Sequence, residues 1–163
     1  MGVDESGIGY GNLSLRSNEL GFFITASQTA SYPLLSPQQI CWITRWNIEQ
    51  NFIQAVGILA PSSESLTHCA IYQSCYQAHA IIHIHQQKFW EIESPYLAYT
   101  PLGENCGTSS LAQSIIQLFS KVHSSSILGI NMRGHRSGLI FWGKDLWEAY
   151  QKIILFEKLS IKL

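Results

Sequence analysis

A chain of 163 residues with 46% hydrophobic content is long enough to bury one core and too apolar for a disordered segment. Its formal net charge of -1 supplies no broad field that would draw in nucleic acid or an anionic membrane surface. No apolar run approaches the ~20 residues of a spanning helix, and the start Met1-Gly2-Val3-Asp4-Glu5 is acidic where an export signal would be apolar.

Gly11 to Arg16 alternates polar and apolar residues, Ser17-Asn18-Glu19 has turn chemistry, and Gly21 to Thr25 is rich in Phe and Ile. This pattern predicts a β-hairpin with Asn12 and Ser14 on one face and Leu13 and Leu15 on the other. Ala26 to Ser36 is a loop of small and polar residues, and Ser36-Pro37 resembles a helix start. Ile40 to Thr44 is expected to be a strand on its β-branched and aromatic content. Pro61-Ser62-Ser63-Glu64 then opens a helix from about Ser63 to Tyr76, with Leu66, Cys69 and Ala70 inward and Tyr72 and Tyr76 widening that stripe. A helix start presents unpaired N–H groups that suit an anion, and Ser62 and Ser63 add hydroxyls there. Simple capping, with Glu64 favoured by the helix dipole, is the plainer account of the same residues.

Ile81-Ile82-His83-Ile84-His85 follows. On a strand the two imidazoles share one face; on a helix they would diverge. Two such histidines are either partly buried residues with ordinary hydrogen bonds or two ligands of an open three-ligand metal site. Glu91 to Leu102 is expected to be irregular, with one short strand around Tyr96–Tyr99. Thr108 caps a second helix whose stripe is Leu111, Ile115, Leu118, Phe119 and Val122, with His123 at its C-terminal end. Ser126–Met132 and Gly138–Trp142 are predicted strands, paired antiparallel through the turn Arg133 to Ser137. Asp145 with Glu148 makes a capping box for the last helix, with Leu146, Ala149, Tyr150, Ile153 and Ile154 inward. Helices before, between and after strands predict helical layers on both faces of one sheet.

Cys41, Cys69, Cys75 and Cys106 form no Cys-x-x-Cys spacing. They are expected to be reduced thiols in a cytoplasmic setting, with Cys69 and Cys75 as small core residues. No repeat or linker divides the sequence, so one domain is expected over residues 1–163.

Gly11-Asn12-Leu13-Ser14-Leu15-Arg16, Phe23-Ile24-Thr25, Pro61-Ser62-Ser63-Glu64, His83-Ile84-His85, Gly107-Thr108 before Leu111-Ala112, and Gly143-Lys144-Asp145-Leu146 stand in an order that resembles the class II aldolase/adducin family. The resemblance runs from about Gly11 to Lys158. It implies an α/β, three-layer αβα fold with a mostly antiparallel central sheet. It implies Zn2+ or another divalent metal held by His83, His85 and His135, with Glu64 as catalytic acid/base. It aligns Asn12, Ser27, Ser62 and Ser63 with substrate-phosphate contacts. The implied activity is a metal-dependent lyase, an aldolase of the fuculose-phosphate kind, acting on a small sugar phosphate through a metal-stabilised enediolate. A methylthioribulose-phosphate dehydratase-like enzyme, a pentulose-phosphate epimerase-like enzyme and a non-catalytic adducin-like module share the scaffold. The implied partners are the sugar-phosphate substrate and further copies of the chain in a homotetramer, with neither nucleic acid nor membrane. The chain is similar to a shortened, diverged member, lacking the family's usual N-terminal helix and its C-terminal tail. Gln28 stands where the family usually has glycine, and His135-Arg136 where it usually has His-Gly.

Overall fold

The computed structural model describes residues 2–3, 9–17 and 20–161. Among them β1 (Gly2–Val3) and β2 (Gly9–Tyr10) form a small antiparallel pair. The remaining strands are β3 (Asn12–Arg16), β4 (Phe22–Thr25), β5 (Ile40–Asn47), β6 (Phe52–Val56), β7 (Ala80–His85), β8 (Leu97–Tyr99), β9 (Gly129–Asn131) and β10 (Gly138–Gly143). They form an eight-stranded sheet in the order β6-β5-β4-β3-β7-β10-β9-β8. Neighbours pair antiparallel except β8 with β9, which are parallel. The described α-helices are α1 (Ser65–Ser74), α2 (Gln87–Trp90), α3 (Ser109–Phe119) and α4 (Leu146–Ser160), and a single 3-10 turn, Pro37–Gln39, stands at the expected helix start after Ser36. No described helix is long and apolar enough to cross a membrane.

Period-two alternation along the strands feeds two cores, one on each face of the sheet. Ile140 and Trp142 of β10 join Ile81 of β7, Ile24 of β4 and Ile43 of β5 beneath α1 and α3. Leu139 and Phe141 point the other way and pack with Phe89 of α2 and Phe156 of α4. This is the expected three-layer arrangement. The predicted hairpin is β3 with β4, in the register Ser14↔Ile24 and Leu15↔Phe23. Its turn residues Asn18 and Glu19 lie outside the described residues.

α1 is buried almost all round, from Ser65 through Tyr72. Its partners are β5 and β6 below and α3 beside it, so a single inward stripe understates its burial. Tyr76 lies past its end and is exposed, contrary to the expected inner stripe. α3 is capped by Thr108, whose Oγ1 accepts from the Leu111 N–H at 3.3 Å. It ends at Phe119, so His123 lies beyond its last turn and not on the helix end as expected. In α4 the Asp145 Oδ1 accepts from the Glu148 N–H at 2.7 Å, and the Glu148 carboxylate accepts from the Lys144 N–H at 2.9 Å. Phe156 is the fully buried aromatic of this helix, while Tyr150 faces outward. The sequence pattern put Tyr150 inward and did not single out Phe156.

One irregularity re-phases β5. Its register with β6 shifts between Ile43 and Arg45. Before the shift Cys41 and Ile43 face the core and Trp42 faces out; after it Trp46 packs inward, edge-on to Phe22 at 5.9 Å. A bulge of this kind turns a strand's inner face over by one residue.

Candidate metal centre

β7 lies between β3 and β10 in the middle of the sheet. His83 is registered against Asn12 on one side and Ile140 on the other, and His85 against Gly138. Ile81, His83 and His85 share the face that carries α1, so both imidazoles stand at the open end of that core. His135 comes from the turn between β9 and β10. Its N–H donates to the Met132 carbonyl and its carbonyl accepts from the Gly138 N–H, each at 2.8 Å. Those bonds hold the turn tight and bring the third ring to the other two. His85 Nε2 lies 3.0 Å from His83 Nε2 and 2.7 Å from His135 Nε2. Tyr10 stacks on the His85 ring with centroids 5.0 Å apart.

The donor chemistry fits a cation. His83 Nδ1 is 3.1 Å from the Leu139 carbonyl oxygen. A carbonyl only accepts, so Nδ1 carries the proton and Nε2 presents its lone pair to the other rings. Three imidazole nitrogens crowded on one point share few protons among them, whereas a divalent ion accepts a lone pair from each. Burial, reinforced by the charges of its histidine neighbours, pushes His83 well below the usual imidazole range. Burial likewise lowers His85, and burial together with His85 lowers His135 to about 4. All three are therefore neutral near pH 7, the form that ligates metals. A group of donors within 4.8 Å of one another is the physical requirement, and His83, His85 and His135 meet it.

Glu64 is the N-cap residue of α1, and its carboxyl is turned into the protein. Thr67 Oγ1 donates to Oε2 at 2.9 Å. Oε1 is buried without a hydrogen-bond partner and lies 3.5 Å from His135 Nδ1. Burial raises the Glu64 pKa, offset in part by the Thr67 hydroxyl and the neighbouring Cys106 thiol. Burial works against the charged form of both groups, which disfavours an ion pair between them. Just ahead of the helix, Ser62 Oγ accepts from the Glu64 N–H at 3.3 Å. The Glu64 side chain makes no capping bond and is turned to the cavity instead.

A second loop is strapped to this helix start. Ser27 N–H donates to the Ala60 carbonyl at 2.9 Å, Ser62 N–H donates to the Thr25 carbonyl at 3.2 Å, and Ala26 bridges Pro61. Gln28 holds φ at 59°, the left-handed region that glycine adopts freely. The loop therefore keeps a glycine-like backbone although its side chain is Gln. Asn12 Oδ1 is buried and unpartnered in the same wall.

These parts line one cavity of about 890 Å³. Every residue singled out in the sequence borders it: Asn12, Ser27, Ser62, Ser63, Glu64, His83, His85 and His135. Arg136 is exposed on its rim, and His135 still reaches the other rings. Two features escaped the sequence pattern. Cys106 lies within ligand distance of Glu64 and His135, because the loop before α3 folds back over the helix start. Its place just before Gly107-Thr108 was the available signal. His68, one helical turn past Glu64, is fully buried against β3, with Nδ1 2.7 Å from Ser14 Oγ.

The family model for the class II aldolase and adducin N-terminal domain matches residues 6–90. No curated protein matches the sequence. Among solved structures, an L-fuculose 1-phosphate aldolase superposes with a TM-score of 0.70 at 21% identity, covering 96% of this chain and 76% of that one. YgbL from Escherichia coli, described as a putative aldolase/epimerase/decarboxylase, gives 0.70 at 18% identity, covering 98% and 81%. The l-fuculose-1-phosphate aldolase from Thermus thermophilus gives 0.62 at 22% identity, covering 93% and 80%. At these identities the structural likeness is one of fold.

Proposed function

The chain belongs to the class II aldolase and adducin family, and we propose that within it this protein is a metal-dependent lyase that cleaves a small sugar phosphate. The observation that carries this reading is the convergence of three neutral imidazoles beside a buried carboxyl with a free oxygen. His83, His85 and His135 hold the divalent ion, with zinc as the first candidate on an all-nitrogen set. When bound, the ion supplies Lewis-acid stabilisation of the negative charge that develops on a substrate oxygen during carbon–carbon cleavage.

The remaining work falls to the chain. Ser27, Ser62 and Ser63, with the Asn12 amide, hold the phosphate at the helix start, away from the reacting carbons. That remote contact orients the carbonyl end toward the histidines. Glu64 moves the proton. Its raised pKa keeps it protonated to higher pH than an ordinary carboxyl, which suits a group that must both give and take a proton. Thr67 fixes Oε2, so Oε1 is the working atom.

We place the protein among cytoplasmic enzymes of carbohydrate metabolism that work as homotetramers. Leu15, Phe23, Trp42 and Val56 are successive cross-strand partners on the sheet face opposite α1. Leu15, Phe23 and Val56 are 40%, 42% and 58% exposed. A second copy laid over this row would bury it. Light scattering should give a mass several times 18.3 kDa; a monomer at micromolar concentration would count against the assembly.

The test of the activity is elemental analysis of protein purified without chelator, followed by assay of the metal-loaded protein against a panel of sugar phosphates. Cleavage to two carbonyl products supports the lyase. Dehydration or epimerisation would move the protein to another reaction on the same scaffold. Bound metal without turnover of any substrate would favour a non-catalytic module.

A further inference from the structure

We propose that Glu64, Cys106 and His135 form a second, softer cation position beside the three-histidine centre, with the His135 ring shared between the two. The proposal rests on the reading of His83, His85 and His135 as a metal centre and adds an inhibitory site to it.

The donors of this second group all lie within 4.8 Å of one another. Each has an atom that the first centre leaves unused. His135 turns Nε2 toward His85 at 2.7 Å and Nδ1 toward Glu64 Oε1 at 3.5 Å. Glu64 gives Oε2 to Thr67, while Oε1 is buried and has no hydrogen-bond partner. A nine-tenths-buried carboxyl oxygen without a donor is costly unless something positive meets it. Cys106 supplies the sulfur and is the exposed cysteine of the chain; Cys41, Cys69 and Cys75 are buried.

The backbone is built to hold these groups together. Gly107 has φ +70°, and a Cβ there would lie 2.7 Å from the Ser63 carbonyl oxygen. A Cβ on Gly134 would lie 2.1 Å from the Glu104 carbonyl oxygen. Two missing side chains thus let the Cys106 loop dock on both the residue before Glu64 and the residue before His135. A larger residue at either glycine would lift the thiol away.

One thiolate, one imidazole nitrogen and one carboxylate oxygen suit zinc or cadmium better than magnesium or calcium. Binding releases the thiol proton of Cys106, the Nδ1 proton of His135 and any proton that Glu64 carries to solvent. Two dications that share a ring repel each other, so the second ion binds more weakly than the first. Its arrival takes up Glu64 Oε1, the proposed proton carrier, and so stops turnover at high metal concentration.

The experiment titrates zinc-loaded protein with Cd2+, reading the ultraviolet thiolate-to-cadmium charge-transfer band and the metal content per chain after gel filtration. The wild type should take up a second ion with the band. Cys106→Ser should keep the first ion and lose both the second and the band. Glu64→Gln should weaken the band's cadmium affinity by about tenfold or more. A wild type without a band, a Cys106→Ser variant that keeps the second ion, or a Glu64→Gln variant of unchanged affinity overturns the proposal. The two readings fail separately. Wild-type protein that holds no zinc but shows the band refutes the three-histidine centre and leaves the cysteine position standing.

Discussion

The Nδ1–H of His83 donates to the Leu139 carbonyl across 3.1 Å, and β10 thereby fixes the tautomer of a histidine on β7. A strand-to-strand bond of this kind orients a ligand before any ion arrives, as outer hydrogen bonds do in metal sites generally. His135 has no such anchor among its ring contacts; its position comes from the turn. His135→Ala should therefore leave His83 and His85 in place and still lower metal affinity by at least about tenfold to a hundredfold. Metal content after dialysis, with a structure of the variant, reads both parts. Full retention of the ion would remove His135 from the ligand set.

Glu64→Gln should fold, keep the first ion and lose activity. The amide retains an oxygen to accept from Thr67 Oγ1, so the local bond at 2.9 Å survives. It carries no transferable proton at neutral pH. General acid–base groups contribute ~100- to 10,000-fold, and kcat should fall by that order with metal content unchanged. Activity within about threefold of wild type would end the assignment of Glu64 as proton carrier.

The three-layer fold and the positions of the candidate site residues were legible in the sequence, while some details of the packing around them were not. His83 and His85 needed only the period of a strand to share a face, and Glu64 only its place at a helix start. Their chemistry is local. The face of Trp46 is not local. Strict alternation puts Trp42 and Trp46 on the same side, and the shift between Ile43 and Arg45 separates them. Nothing in Thr44-Arg45 announces a bulge. β6 carries a weak strand signal, because its residues Phe52–Val56 are at most partly buried and its inner face is set by pairing with β5. Cys106 and Glu64 are far apart in the chain, and what joins them is the docking of Gly107 on Ser63. Tertiary contact of that sort leaves no periodic signal.

Gln28 holds a left-handed backbone with φ at 59°. Left-handed backbone costs a non-glycine residue roughly 1–2 kcal/mol, and glycine in its place forfeits part of that gain through unfolded-chain entropy. Gln28→Gly should stabilise the protein by roughly 0.5–1 kcal/mol in urea titrations. It should also leave the loop free to approach an anion more closely. Tighter inhibition by inorganic phosphate would accompany the added stability. A destabilised Gln28→Gly protein would mean that the Gln side chain holds the loop.

His68 should make the metal-free protein acid-sensitive. It is fully buried on α1, its Nδ1 meets Ser14 Oγ at 2.7 Å, and its Nε2 has no partner. Burial lowers its pKa from 6.5 to about 3. The unfolded chain therefore binds a proton that the folded chain refuses, across the interval from 6.5 down to about 3. Stability is complete above that interval and falls with pH inside it, by up to about 1.4 kcal/mol per pH unit. Glu64 works in the opposite sense. Its raised pKa means that the folded state holds a proton which the unfolded state loses first, so its contribution is present at low pH and is lost as pH rises through the folded value. The lowered values of His83, His85 and His135 add to the His68 effect. His68→Gln isolates one group from this sum: Gln is neutral throughout and able to bond Ser14. Urea unfolding in chelator at about pH 7, 6 and 5 should show the wild type losing stability more steeply than His68→Gln, with a difference approaching 1.4 kcal/mol per unit toward the lower end. Parallel slopes would show that His68 titrates alike in both states, which its burial beneath β3 should forbid.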